Sequence, residues 1–142
     1  MFENPSSDEI SSILRHAHTI AVVGLSDNPE RESYAVAQEM QKRGYQIIPV
    51  NPNVPQVLGE KSYPSLAAIP QHVDIVNVFR RSEFLSAVVE EVNQTQIPVI
   101  WAQQGVYNEE AAHLAQQQGK VIVMDRCIMV MHSLFVKSQS ER

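Results

Sequence analysis

The chain has 142 residues, with 16 Asp and Glu against 11 Lys and Arg, which gives a formal net charge of -5. A chain of this length buries roughly 68% of its unfolded surface, enough for one compact domain and too little for two. Its hydrophobic fraction of 44% excludes collagen-like and broadly disordered chains, and its acidic balance disfavours a general nucleic-acid binder. We predict a single domain over 1–142, with a core at about 8–135 and a tail at 136–142.

The cysteine count and the N-terminal residues indicate the cellular compartment of the protein. Cys127 is the only cysteine, so neither an intrachain disulfide nor a cysteine-cluster zinc site can form. The acidic N-terminus lacks the basic and apolar regions of a secretory signal, and no stretch has the ~20 apolar residues of a membrane span. These features predict a soluble cytoplasmic protein without a metal ion and without a nucleic-acid or membrane partner.

Short apolar runs alternate along the chain with amphipathic segments. Runs of this length without polar alternation are typical of strands buried on both faces, and they occur at 19–24, 46–50, 73–79, 98–102 and 120–124. Helical spacing, capping residues and terminal glycines predict helices at 8–16, 33–44, 83–93, 108–119 and 128–135. The proline-rich segment 51–65 is predicted to be a loop, followed by one helical turn at 66–69.

This alternation predicts an α/β fold, a doubly wound parallel sheet of about five strands with helices on both faces. Ligands of such sheets bind beyond the carboxyl ends of the strands. After the first predicted strand, Gly24 permits a tight turn, Ser26 and Ser33 offer hydroxyls, and a helix N-terminus follows. This combination favours a phosphate site. An ordinary strand-to-helix turn is the alternative, because the second and third glycines of a G-x-G-x-x-G loop are missing.

The sequence after the other strands narrows the ligand class. Asn51-Pro52-Asn53 follows the second strand without the acidic residue that an NAD site uses, so NAD is disfavoured. Five cations are predicted at the same sheet edge, and guanidinium groups suit phosphate: Arg31, Lys61, Arg80, Arg81 and Arg126. The alternative is that each pairs with a nearby carboxylate, namely Glu30, Glu32, Glu60, Glu83 or Asp125. The loop and the cations together favour a multiply phosphorylated nucleotide.

Four motifs follow one another from about Thr19 to His132: Gly24-x-Ser26 with Arg31-x-Ser33-Tyr34, then Ile48-Pro49-Val50-Asn51-Pro52 with Leu58-Gly59, then Asp74-Ile75-Val76-Asn77-Val78-Phe79-Arg80, then Val123-Met124-Asp125-Arg126-Cys127. This series resembles the stand-alone CoA-binding proteins, which are similar to the N-terminal CoA-binding domain of the succinyl-CoA synthetase α subunit. The resemblance implies a Rossmann-like fold with coenzyme A or an acyl-CoA as the ligand.

The resemblance also implies which residues contact CoA. They are Gly24, Leu25, Ser26, Arg31, Ser33 and Tyr34 at the diphosphate, Asn51, Pro52 and Asn53 at the adenosine, Val78, Phe79 and Arg80 beside the adenine and the pantetheine path, and Gln103 and Gln104 near the pantetheine arm. A lysine of the synthetase motif has no counterpart at Asn53-Val54-Pro55, so the expected partner of the 3′-phosphate is Arg31 or Arg80. The synthetase's phosphohistidine and second domain are absent, so no ligase reaction of that type is expected from this chain alone.

Cys127 is the candidate catalytic residue if the protein is an enzyme. A Cys–His pair with His132 would suit thioester or thiol-redox chemistry, but a spacing of five residues aligns poorly on a helix, and a small core residue is the simpler interpretation. Three functions stay open: CoA binding without catalysis, a small acyl-CoA or thiol-redox enzyme that uses Cys127, and a CoA-responsive partner subunit. Met129 and Met131 are candidates for a homodimer contact.

Overall fold

The centre of the computed structural model, which describes residues 1–137, is a parallel sheet of five strands. In chain order its strands and those of a small hairpin are β1 (Thr19–Val23), β2 (Gln46–Val50), β3 (Gln56–Val57), β4 (Glu60–Lys61), β5 (Ile75–Val78), β6 (Val99–Ala102) and β7 (Val121–Val123). The order in the sheet is β2-β1-β5-β6-β7. Each of the five predicted apolar runs contains one sheet strand, and the predicted Rossmann-like, doubly wound α/β class is confirmed.

Helices cover both faces of the sheet, and they are α1 (Ser7–His16), α2 (Glu32–Lys42), α3 (Leu85–Asn93), α4 (Glu109–Gln117) and α5 (Ile128–His132). Strand β1 shows how the two layers form, because successive side chains of a strand point to opposite faces. Ile20 and Val22 pack in one apolar cluster with residues of α1, α2 and α5. Ala21 and Val23 pack in a second cluster with residues of α3 and α4.

The boundaries of two predicted helices need correction. The first turn of the predicted helix 83–93 is a 3-10 turn, Ser82–Phe84, and the α-helix begins at Leu85. The last predicted helix, 128–135, is α-helical only to His132 and continues as a π-helical turn, Ser133–Lys137. Of the predicted tail at 136–142, residues 138–142 lie outside the described part of the chain.

The segment predicted as a loop contains the antiparallel hairpin β3–β4, which is a second correction. Leu58 and Gly59 form its turn with φ angles of 56° and 78°, the left-handed pair that a two-residue hairpin turn requires. Each strand has only two residues, too few for a detectable alternation of apolar and polar side chains. The predicted turn at 66–69 is present as the 3-10 turn Leu66–Ala68.

The path of the chain creates a switch point in the sheet. From β1 the chain passes through α2 to β2 on one side, and after β2 it crosses to β5 on the other side of β1. The connections therefore diverge above the carboxyl ends of β1 and β5, which leaves a crevice in which α/β proteins bind ligands.

Candidate functional site

Gly24 lies at the switch point, where the backbone leaves β1. Its N–H donates to Val50 O at 3.1 Å, and Phe79 N–H donates to Val23 O at 2.9 Å, so the exits of three strands are held side by side. Gly24 has φ of 85°, and a Cβ at this position would overlap the carbonyl oxygen of Phe79. Only glycine fits both the backbone angle and the close approach.

Two cavities open at this edge and share Gly24. The β2 cavity, of about 400 Å³, has an apolar wall and polar groups around it and is lined by Val23, Gly24, Val50, Asn51, Pro52, Asn53, Pro64, Arg80, Val88 and Glu91. The α2 cavity, of about 270 Å³, lies at the start of α2 and is lined by Gly24, Ser26, Arg31, Glu32, Ser33 and Phe79. Together they form the candidate site above β2, β1 and β5.

Side-chain hydrogen bonds fix the loop that forms the α2 cavity. The buried hydroxyl of Ser33 accepts from Ser26 N–H at 3.0 Å, and the hydroxyl of Ser26 accepts from Asn28 N–H at 3.0 Å. Asn51 Nδ2 donates to Leu25 O at 3.0 Å and so ties this loop to the exit of β2. The loop is therefore shaped before any ligand is present.

The N-terminus of α2 has no side-chain cap. Arg31 occupies the N-cap position and makes no capping hydrogen bond, so the first-turn N–H groups are not satisfied by a side chain there. The helix dipole adds positive potential at this end. Arg31 supplies a full positive charge, while Glu32 in the first turn opposes it. The α2 cavity can thus hold an anion through backbone N–H groups and one guanidinium.

Arg80 and Glu91 bring opposite charges to the β2 cavity. The guanidinium carbon of Arg80 lies 4.8 Å from the centre of the Phe84 ring, which supports this exposed side chain. Glu91 lies one helical turn after Val88, and its Oε2 accepts from Leu66 N–H at 2.7 Å. Within residues 1–137, no ion pair joins Arg80 to Glu91. Both charged groups are therefore available to a ligand.

The five predicted cations divide between the site and its surroundings. Arg31 and Arg80 line the cavities. Arg81 pairs with exposed Glu83 at 3.4 Å, Lys61 lies 5.2 Å from the Tyr63 ring, and Arg126 donates to Asp125 O at 2.8 Å. Of the predicted pairs with neighbouring carboxylates, only that of Arg81 forms in the part of the chain that the structure describes.

The structure divides the predicted contact residues into three groups. Those that line the cavities are Gly24, Ser26, Arg31, Ser33, Phe79, Asn51, Pro52, Asn53 and Arg80. Leu25 and Val78 are fully buried in the core and line neither cavity. Tyr34, Gln103 and Gln104 lie outside both cavities. Gln103 is 2% exposed, and its Oε1 accepts from Asn77 Nδ2 and Ile128 N–H, each at 3.3 Å.

The cavity wall that α3 contributes was not predicted from the sequence. Val88 and Glu91 line the β2 cavity together with Pro64, but none of them directly follows a sheet strand. Their helical spacing of three residues indicated only that they share a face of α3. Because α3 packs beside the carboxyl end of β5, Val88 and Glu91 come to line the β2 cavity.

Cys127 is buried, 7% exposed, immediately before α5. His132, which is 8% exposed, has its Nδ1 3.1 Å from Arg43 Nη1 and its ring edge-on to Tyr45, 5.6 Å between centroids. Because a guanidinium only donates, His132 Nδ1 accepts here. Burial raises the pKa of Tyr45 to about 12, although the Arg43 charge lowers it. Because Cys127 is buried and His132 is engaged with Arg43 and Tyr45, the structure favours a packing role for Cys127.

Other features of the described residues do not compete with this site. A further cavity of about 320 Å³ lies between Val73 and Ile97, at the amino-terminal edge of the sheet, opposite the edge where α/β proteins bind ligands. Within residues 1–137, no group of three or more His, Cys, Asp or Glu side chains could hold a metal ion. None of the helices in that range has the length and apolar character needed to cross a membrane.

Comparisons with known proteins identify a family and two similar proteins of nearly the same length. A family model of the CoA binding domain matches residues 18–133. The uncharacterized protein YneT of Bacillus subtilis (strain 168) is 52% identical over 132 residues, which cover 93% of this chain and 98% of that protein. A solved structure of a hypothetical protein from Pyrococcus horikoshii OT3 has a TM-score of 0.89 and 34% identity, and the match covers 96% of this chain and 99% of that chain.

A longer relative shares only this domain. The alpha subunit of acetate–CoA ligase [ADP-forming] II from Pyrococcus furiosus is 26% identical over 125 residues. The match covers 80% of this chain but only 27% of that subunit. The similarity is therefore to one portion of the ligase subunit.

Proposed function

The chain belongs to the CoA binding domain family, as its motifs predicted, and from that membership we propose that it binds coenzyme A or an acyl-CoA at the switch point. The observation that carries the proposal is the pair of adjoining cavities that share Gly24. The β2 cavity has apolar walls suited to a nucleoside, and the α2 cavity has the hydrogen-bond donors suited to a diphosphate. Their adjacency matches the connection between the adenosine and the diphosphate within CoA.

The diphosphate is proposed to lie in the α2 cavity. Uncapped N–H groups at a helix N-terminus and the positive end of the helix dipole favour phosphate, and Arg31 adds a bidentate donor. Gly24 has no side chain and so lines this cavity with backbone atoms alone. Glu32 reduces the attraction without blocking it, since its carboxylate is exposed and solvent screens it.

The adenosine is proposed to lie in the β2 cavity. Val50, Pro52, Pro64 and Val88 give it apolar walls for a base, and about 400 Å³ is enough room for a nucleoside. Arg80 lines the same cavity and is the proposed partner of the 3′-phosphate, while the neighbouring Arg81 pairs with Glu83. The pantetheine arm then continues along the sheet edge toward Gln104.

Binding without catalysis is the function that the geometry supports best. Cys127 is covered in the core, and His132 Nδ1 is directed at Arg43, so the pair lacks the exposed nucleophile and free base that thioester chemistry requires. The ligase relative has most of its length outside the matched portion. Its reaction is therefore not proposed for this chain.

Isothermal titration with CoA, acetyl-CoA, NAD and ATP at one fixed salt concentration tests the proposal. We expect CoA or acetyl-CoA to bind more tightly than NAD and ATP, because among these ligands only the CoA compounds present a 3′-phosphate to Arg80. Tightest binding of NAD, or no binding of the CoA compounds, would contradict the proposal. In that case the family membership would describe only the fold.

A further inference from the structure

We propose that Glu91 selects the base of the ligand by accepting a hydrogen bond from the exocyclic amino group of adenine. The inference rests on the proposed function and adds base specificity to it. Glu91 belongs to no motif of the sequence, and it enters the β2 cavity only because α3 packs beside the exit of β5.

The Glu91 side chain is held in place before a ligand arrives. Its Oε2 accepts from the backbone N–H of Leu66 at 2.7 Å, and Leu66 is itself 3% exposed at the start of a 3-10 turn. A strong hydrogen bond from a buried backbone group restricts the rotamers of the carboxylate. Glu91 therefore presents its second oxygen from a fixed position at the cavity wall.

That second oxygen has unused capacity. Among residues 1–137, no cation lies within 4 Å of Glu91 in an ion pair, and its one side-chain hydrogen bond uses Oε2. An ionised carboxylate is an acceptor only, so its partner in the ligand must be an N–H or O–H donor. A phosphate group at this wall would be repelled, which agrees with a diphosphate in the α2 cavity and with a 3′-phosphate at Arg80 and away from Glu91.

A base satisfies these requirements at this position. The apolar wall formed by Val50, Pro64 and Val88 suits the faces of a planar ring, while Glu91 provides a polar group at the ring's edge. Adenine carries an exocyclic amino group as its donor. Hypoxanthine carries a carbonyl oxygen in the same place, so two acceptors would face each other and lose their hydration without a hydrogen bond.

Titration with CoA and with the CoA analogue that has hypoxanthine in place of adenine tests the inference. We expect the wild-type protein to prefer CoA by about tenfold or more, since a site whose acceptor is left without a hydrogen-bond partner rejects the ligand that lacks the donor. In Glu91→Gln, an oxygen can still accept from Leu66 N–H, and the amide N–H₂ can donate to the hypoxanthine carbonyl. The preference is expected to disappear or to reverse.

Glu90→Gln is the matched control, because Glu90 is the exposed neighbour of Glu91 on α3 and lines neither cavity. It removes the same charge and should keep the wild-type preference. The wild-type comparison needs no variant, so the inference stays testable even if Glu91→Gln does not fold.

Equal affinity of the wild-type protein for both ligands, or an unchanged preference in Glu91→Gln, would overturn the inference and leave Glu91 only the role of holding Leu66. Either result with CoA bound would leave the proposed function intact. Failure of CoA to bind the wild-type protein would overturn the proposed function first, and this inference with it.

Discussion

The two halves of the carboxyl-terminal edge of the sheet use their polar groups differently. In the open half, formed by the exits of β1, β2 and β5, the N-terminus of α2 is uncapped and Arg31, Arg80 and Glu91 face cavities. In the closed half, formed by the exits of β6 and β7, most polar groups bond to each other. The open half also contains the switch point of the sheet, so chain topology and side chains together distinguish the two halves.

The closed half is joined by hydrogen bonds between its two loops and the N-terminal segment. Gly105 N–H donates to Asp125 Oδ1 at 2.7 Å, and Asp125 N–H donates to Val106 O at 3.0 Å. Asn4 bonds to both backbone groups of Met124, at 2.8 and 2.9 Å. The exception is Gln103 Nε2, a buried donor for which residues 1–137 provide no partner.

This comparison shows that a position after a strand is insufficient to make a binding site. Arg80 and Arg126 both follow sheet strands and are both exposed. Arg80 faces a cavity, whereas Arg126 donates to Asp125 O and its own carbonyl accepts from Trp101 Nε1 at 2.9 Å. A binding site needs polar groups whose hydrogen bonds are not already made within the protein.

The largest expected effect comes from Gly24→Ala. The added Cβ overlaps Phe79 O at a left-handed backbone angle, so we expect a loss of about 2 kcal/mol or more in unfolding free energy and no CoA binding. Gly105→Ala is the control in the closed half, with φ of 87° and nothing within 4 Å of the added Cβ. Gly105→Ala should lower the unfolding free energy by only about 1 to 2 kcal/mol, which is the strain of a left-handed backbone angle in alanine. Urea denaturation and titration measure both effects, and equal losses in the two variants would contradict the account.

Arg80→Ala is expected to weaken CoA binding by about 1 to 3 kcal/mol, because it removes a charged hydrogen bond to phosphate. Arg126→Ala should leave the affinity near the wild-type value, since that guanidinium is bonded to Asp125 O. Titration at a single salt concentration measures both variants. An unchanged affinity in Arg80→Ala would remove Arg80 from the site.

Asp125→Ala tests whether the closed half is structural. The variant loses the bond from Gly105 N–H, so the unfolding free energy should fall by about 1 kcal/mol, while CoA affinity should change little. Denaturation and titration of the same preparation separate the two quantities. A loss of affinity as large as that expected for Arg80→Ala would place the nucleotide in the closed half.

Asp74 joins the amino ends of the two strands that flank the switch point, and it should make stability depend on pH. Partial burial alone would raise the pKa of this carboxyl, but hydrogen bonds from the His18 and Thr19 N–H groups and from His72 hold it below the usual 3.8. The ionised form therefore stabilises the fold at neutral pH, and this contribution is lost as the pH falls through the lowered value. Denaturation of Asp74→Asn should show a shallower acid dependence than wild type, and parallel curves would contradict this role.

The smallest expected effect is that of Glu32→Gln in the open half. Removing an exposed negative charge beside the α2 cavity should strengthen CoA binding by about 0.2 to 1 kcal/mol, and the gain should shrink as salt is added. Titration at two salt concentrations measures it. Weaker binding in the variant would mean that Glu32 contacts the ligand as an acceptor.

The sheet could be predicted from the sequence because each strand is a separate apolar run. An apolar run indicates a buried strand, and the helical segment that follows it indicates the connection to the next parallel strand. The positions of Gly24, Ser26 and Asn51 beside the cavities could be predicted because these residues lie in the segments that immediately follow strands. Glu91 could not, since only the packing of α3 brings it to the cavity. The hydrogen bonds of the closed half could not be predicted either, because Asn4 and Met124 lie 120 positions apart in the chain. The hairpin β3–β4 was too short to leave a periodic pattern.

We propose that the open half binds the nucleotide part of CoA. Amide chemical-shift mapping by NMR, with CoA and separately with adenosine 3′,5′-bisphosphate, tests it most directly. We expect both ligands to shift the amides of Gly24, Ser26, Ser33, Asn51 and Arg80. Only CoA, which has the pantetheine arm, should also shift those of Gln104 and Gly105. Shifts from adenosine 3′,5′-bisphosphate confined to the exits of β6 and β7 would contradict it.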